Sequence, residues 1–184
     1  GCDEFPLHRL GIQLPLCHKL EKMKFGISVQ GVIPVRSEPS HRAEMVTQVL
    51  FGELFRIHET EEPWCRVSLV DDQYEGWIHQ LQVQFLEEEE FIRLERVTRA
   101  VSLDFIQLVV EEGSGQVIPV PLGCSFPGFS NGQFTIAGKL FSLDGPVNKA
   151  PTDSQALTAV ERDALRDRIT GDAMLYLNAP YLWG

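Results

Sequence analysis

The chain has 184 residues, 43% hydrophobic and 23% charged, the make-up of a globular protein with a buried core and room for one mid-sized domain or two to three small ones. Sixteen Lys and Arg stand against 26 Asp and Glu, a net charge of −10, which repels phosphate backbones and anionic membrane surfaces and argues against nucleic acid as a partner. The longest uncharged run, Gly113 to Gly138, holds three prolines and six glycines, a composition incompatible with a transmembrane helix.

At the N-terminus, His8, Arg9, Gln13 and Pro15 interrupt the apolar residues between Leu7 and Leu16, so no secretory signal core forms. Gly1-Cys2 admits a mature lipoprotein start behind an added residue, and Met23 admits a true initiator; the residues choose neither. From Phe25 onward, short runs rich in Val, Ile, Phe, Leu and Thr predict strands at Val29 to Val35, Met45 to Ile57, Cys65 to Val70 and Trp77 to Val83. Pro39, Pro63 and Asp71-Asp72 supply the turns between them. Strands this short and this closely spaced predict a small barrel rather than a parallel sheet.

Glu87 to Glu90 is a run of four carboxylates, expected to be solvated and to mark a linker between domains, because like charges repel and resist common burial. A second β-rich block follows from Val97 to Leu143, with strands expected at Ile106–Val110, Gln116–Val120 and Phe134–Phe141 and turns at Gly113-Ser114-Gly115 and Ser130-Asn131-Gly132. It repeats a fragment of the first block: Val49-x-x-Gly52-x-x-Phe55 recurs as Val120-x-x-Gly123-x-x-Phe126. Blocks of this size sit near the lower limit for independent folding, so the two are expected to pack on one another. After Pro151, apolar residues at helical spacing predict a helix from Ser154 to Arg168 with Asp153 as its cap, ended at Gly171. A second helical start, Asp172 to Leu177, is expected to stop at Asn178-Ala179-Pro180.

Candidate chemistry is sparse. Four cysteines without a CxxC pair and five histidines without ligand spacing predict no metal site, and no cofactor motif is present. Cys124-Ser125 lies in strand texture beside Pro127 rather than at a helix N-terminus, and Cys65 follows Trp64 at a strand start. Both are expected to be core thiols rather than nucleophiles, so no catalytic residue is assigned. Glu44, Glu53 and Tyr74 fall near strand ends and turns, where binding side chains are commonly displayed. The terminal Tyr181-Leu182-Trp183 would be sticky if exposed and suits burial in a further domain.

Three segments carry a family resemblance. Val32-Ile33-Pro34-Val35-Arg36-Ser37-Glu38-Pro39-Ser40, then Glu44 through Glu53, then Tyr74-Glu75-Gly76-Trp77-Ile78 together resemble a bacterial SH3 (SH3b) domain. More specifically, they are similar to the one preceding NlpC-type papain-like peptidases of the γ-D-glutamyl-L-diamino-acid endopeptidase group. Asp172 through Gly184 resembles the first helix and opening Tyr-x-Trp-Gly motif of that catalytic domain.

The resemblance implies a mainly β fold of two SH3-like small barrels followed by a C-terminal helical segment that begins an α+β papain-like domain. The implied division is an N-terminal extension (1–24), a first SH3b domain (25–86), an acidic linker (87–96), a second SH3b-like domain (97–150) and a helical linker with the start of the peptidase domain (151–184). It further implies the non-catalytic front of a cell-wall cysteine endopeptidase that cleaves the γ-D-Glu to diamino-acid bond of peptidoglycan stem peptides. The chain stops before the family's catalytic Cys and His, so it is expected to be inactive alone.

By the same resemblance Tyr74 walls the substrate cleft. Glu44, or less favourably Glu53, reads the free amino group of an L-Ala-γ-D-Glu stem peptide, and Tyr181 lies near the nucleophile. The expected partner is that stem peptide, and the expected location is the cell envelope, or the cytoplasm if the peptides are being recycled. The competing expectation is a stand-alone SH3b module that binds cell-wall peptide or a protein.

Overall fold

The computed structural model describes residues 24–149 and 159–177. Its first unit is one antiparallel sheet of seven short strands: β1 (Lys24–Ile27), β2 (Val32–Arg36), β3 (Met45–Leu50), β4 (Leu54–Glu61), β5 (Trp64–Leu69), β6 (Glu75–His79) and β7 (Gln84–Leu86). They lie in the order β3-β2-β6-β5-β4-β1-β7. Period-2 alternation sends Ile33, Val35, Val49, Phe55, Ile57, Cys65, Val67, Leu69 and Ile78 into a common core. A register shift between Ile57 and Glu59 bends the long β4, which pairs with β1 at its start and runs along β5 for the rest.

The second unit contains β8 (Arg99–Ser102), β9 (Ile106–Glu111), β10 (Gln116–Pro121), β11 (Ser125–Pro127), β12 (Gln133–Ile136), β13 (Lys139–Leu143) and β14 (Val147–Lys149). Its pairings reproduce those of the first unit. As β1 pairs with β4 and β7, β8 pairs with β11 and β14. As β2 pairs with β3 and β6, β9 pairs with β10 and β13. One ladder is missing: β11 ends after three residues at Pro127, which has no N–H to donate, and no ladder joins it to β12. The second unit is therefore split into a four-stranded and a three-stranded sheet. The fold is mainly β, two SH3-like small barrels followed by a helix.

The sequence repeat marks the place where the two units meet. Gly52 and Gly123 both adopt positive φ, 81° and 93°, and turn the chain from β3 into β4 and from β10 into β11. The turns face each other: the Ser125 N–H donates to the Phe51 carbonyl at 2.9 Å, and Leu50 packs 3.7 Å from where a Gly123 Cβ would stand. Phe51, fully buried, carries the first unit's side of a shared aromatic cluster, its ring centroid 6.1, 5.9 and 5.8 Å from those of Phe126, Phe134 and Phe141. One core thus runs from Phe25, Ile27 and Leu54 into Val120, Phe126 and Phe141. The two units are joined by a shared apolar interior, in keeping with the limited core each could build alone.

Several elements differ from the sequence reading. The Met45 to Ile57 run is two strands broken at Gly52, and the Phe134 to Phe141 run is a hairpin turned at Ala137 (φ 49°) and Gly138. The Trp77 to Val83 run ends as a strand at His79 and continues as a 3-10 turn, Gln80–Gln82. Residues 87–96 do not form an open linker. Glu87 stands at the N-cap position, without a side-chain capping bond, of helix α1 (Glu88–Arg96), which buries Phe91 and Leu94 on the core while Glu88 and Glu89 stay in water. Acidic residues in the first turn and Arg93 and Arg96 in the last suit the helix dipole. Phe91 stacks on Phe25 at 4.3 Å between centroids and lies under the Arg56 guanidinium, which also pairs with Glu95 at 2.8 Å.

Helix α2 (Ala159–Leu175) runs straight through Gly171, which was expected to end it. A mid-helix glycine costs about 1 kcal/mol relative to alanine and weakens a helix without breaking it. Tyr176, just beyond α2, meets Phe105 of the second unit edge-on at 5.1 Å. The Asp153 cap and Asn178 to Pro180 lie outside the described residues, and no helix among the described residues is long and apolar enough to cross a membrane.

Candidate functional site

Tyr74 closes the β5–β6 hairpin. Gln73 takes the left-handed region (φ 62°), the Leu69 N–H donates to the Tyr74 carbonyl at 2.9 Å, and the Tyr74 N–H donates to Asp72 Oδ1 at 3.0 Å. This Asx-type turn is further pinned by Gln73 Nε2 on the Val70 carbonyl at 2.7 Å. Tyr74 is about half exposed, at 49%. The turn is clamped from across the junction, because Arg99 on β8 donates two parallel hydrogen bonds, each 2.9 Å, to the Asp71 carboxylate. That pairing holds the Arg99 guanidinium above its ordinary value.

Glu53 sits on the β3–β4 turn beside this clamp. Burial pushes its carboxyl up; the nearby Asp71 and Asp72 push the same way, while the Leu50 N–H, donated at 2.8 Å, and Arg99 pull it back. Its carboxylate is engaged in holding its own turn. Glu44 closes the loop between β2 and β3, where its carbonyl accepts from the Ser37 N–H at 2.9 Å. Its side chain is exposed and makes no hydrogen bond or ion pair to another described residue. The pairing of Arg36 with Trp77 sets the base of this loop beside Gly76, two residues from Tyr74. The fold therefore places Tyr74 and Glu44 toward one end of the β2–β6 pair and Glu53 at the junction side of the Tyr74 turn. Tyr181 lies outside the described residues.

Both described thiols are buried and free. Desolvation pushes Cys65 up and Cys124 up to about 12, so neither presents a thiolate near neutral pH. Among the described residues, no group of three or more His, Cys, Asp or Glu is arranged to hold a metal ion. A half-exposed aromatic ring on a stiff turn and a solvated carboxylate can wall a ligand and pair with a cation. They supply no nucleophile.

Two groupings escaped the sequence. The Asp71–Arg99 clamp joins residues from different units, and only the turn character of Asp71-Asp72 was legible. The second is a cluster of His41, Trp64 and His79 on the first unit. The two imidazoles stack at 5.4 Å, and both pack against the Trp64 indole, at 4.8 and 5.4 Å. These three residues come from a loop, a strand start and a strand end, so no linear spacing announces them.

Residues 35–83 match the family model of the bacterial dipeptidyl-peptidase SH3 domain, in agreement with the SH3-like topology of the first unit. A crystal structure of an NlpC/P60 family protein from Bacillus cereus is similar over 78% of this chain and 62% of that one, with a TM-score of 0.59 at 12% sequence identity. At that identity the likeness is one of fold, and the chain spans 62% of that protein's length. Comparison with curated proteins finds no match.

Proposed function

We propose that this chain is the SH3b portion of a cell-wall cysteine endopeptidase of the NlpC type, in which it shapes and gates the cleft for peptidoglycan stem peptides. The observation that carries the proposal is Tyr74. Its turn is fixed by its own hydrogen bonds and by Arg99 from the second unit, so the backbone that presents its half-exposed ring needs little further ordering on binding. The match of residues 35–83 to a dipeptidyl-peptidase SH3 domain and the NlpC/P60 neighbour support the same reading.

In this proposal Glu44 receives the free ammonium of an L-Ala-γ-D-Glu-diamino-acid peptide, and Tyr181 stands beside the nucleophile of a following catalytic domain. Glu44 suits the role better than Glu53, because its carboxylate is unengaged whereas that of Glu53 holds the Leu50 amide. An ammonium paired with a carboxylate makes a charge-assisted hydrogen bond about twice as strong as a neutral one, and a peptide lacking the amine forfeits it. The proposed setting is the cell envelope, or the cytoplasm if the peptides are being recycled. The test is cleavage by the intact protein carrying this chain. L-Ala-γ-D-Glu-diaminopimelate should be hydrolysed and its N-acetylated form spared, and equal turnover of the two would overturn the assignment.

A further inference from the structure

A cavity of about 390 Å³ opens on the first unit, lined by Pro34 and Arg36 of β2, His41 of the following loop, Trp64, His79, and Leu81 and Gln82 of the 3-10 turn. On β6 its His79 wall stands roughly 16 Å of strand from Tyr74 at about 3.3 Å per residue, and Arg36 pairs with Trp77 between the two. In a chain of net charge −10, no carboxylate lines it. Glu61, the last residue of β4 and paired with Trp64, and Glu62 on the turn that follows are exposed and lie outside the lining.

Two of its polar groups are oriented as donors by hydrogen bonds to the chain. Arg36 Nη1 is fixed on the Ala43 carbonyl at 2.9 Å, while its Nε and Nη2 donate to no other described residue. His79 Nδ1 accepts from the Leu81 N–H at 3.3 Å, so the neutral ring carries its proton on Nε2. The floor is the nearly buried Trp64 indole, with His41 packed against it. The two imidazoles stack close to parallel, 22° apart, and among the described residues no third His, Cys, Asp or Glu joins them in a group that could hold a metal ion.

We infer that this cavity binds a carboxylate carried on a small apolar body, as at the C-terminus of a short peptide. The guanidinium of Arg36 and the Nε2–H of His79 hold the carboxylate, Trp64, His41 and Pro34 wall the adjoining side chain, and the exposed Leu81 borders it at the rim. A guanidinium presents a planar fork that matches a carboxylate, and a few hundred cubic ångströms lined by aromatic groups around few polar ones is the usual character of a small-ligand site. The inference goes beyond the proposed function and does not depend on it, since it needs neither Tyr74 nor a catalytic domain.

The test is an NMR titration of the chain at fixed pH and ionic strength with the dipeptide Ala-Val, its C-terminal amide, and inorganic phosphate, following the Trp64 indole N–H and the His41 and His79 ring signals. The expected result is a saturable shift with Ala-Val at least about tenfold tighter than with the amide or phosphate, the loss expected when a charge-assisted pair is removed. Arg36→Gln should abolish it. Arg36→Lys, which keeps the charge and the fold but loses the fork, should weaken it about tenfold. No saturable shift, an equal response to the amide or to phosphate, or undiminished binding by folded Arg36→Lys would overturn the inference.

Discussion

Replacing Phe51 by alanine tests whether the two barrels are one folding unit. Phe51 belongs to the first unit by sequence, yet its ring meets Phe126, Phe134 and Phe141 of the second at 5.8 to 6.1 Å between centroids. It is fully buried, and the surrounding rings are held by strands, so the cavity left by truncation closes poorly. Phe to Ala changes at such sites cost about 3–5 kcal/mol. Chains of this size lose about 2–4 °C of Tm per kcal/mol, so a fall of roughly 6–20 °C is expected.

The assay is urea and thermal unfolding followed by tryptophan emission and by far-UV circular dichroism, with native-state hydrogen exchange. Trp64 and Trp77 report the first unit, and the amides of β9, β12 and β13 report the second. In the variant both signals should shift together, and exchange should quicken in β12 and β13 although no residue there was altered. A loss below about 1 kcal/mol, or a transition moved in the first unit while second-unit exchange stays unchanged, would refute the shared core.

Two further outcomes follow from the same junction. Gly52→Ala places a Cβ against the Ser125 carbonyl oxygen at a φ of 81°, so it should destabilise by more than the roughly 1–2 kcal/mol of a left-handed residue alone; calorimetry finding under 1 kcal/mol would contradict the close approach. Glu53→Gln should raise Tm at pH 7. The folded carboxyl titrates above its unfolded value of 4.5, so native stability falls as pH rises from there through the raised folded value; glutamine removes that slope while still accepting the Leu50 amide. The gain should shrink toward zero below pH 4.5, and a gain that grows on acidification would reverse the assigned sign.

The β-rich texture and the two-block plan were legible because short Val, Ile and Phe runs punctuated by Pro, Gly and Asp admit little else. The repeat around Gly52 and Gly123 is visible as three matched positions, but only the fold brings the two turns face to face as the seam between the units. The Ala137-Gly138 hairpin was missed because alanine rarely takes positive φ and so gives no turn signal. Helix α1 was obscured by its charges: Glu87 to Glu90 read as a solvated run, while Phe91 and Leu94, three residues apart on one face, carried the burial. Of the candidate site, Tyr74, Glu44 and Glu53 were picked out at turns. Which carboxylate is already engaged depends on the bond Glu53 makes within its own turn, and the steadying of the Tyr74 turn by Arg99 from the other unit depends on a contact between residues far apart in the chain.

The measurement that bears most directly on the proposed role is a paired turnover assay by mass spectrometry with the intact protein that carries this chain, wild type and Glu44→Gln, on L-Ala-γ-D-Glu-diaminopimelate and its N-acetylated counterpart. Loss of one charge-assisted hydrogen bond is worth about 1.5–3 kcal/mol, so the wild type should favour the free amine by at least about tenfold in kcat/KM, and the variant should lose most of that preference. Equal cleavage of both peptides by the wild type, or a preference that survives Glu44→Gln undiminished, would contradict the assignment of Glu44 as the group that reads the amine.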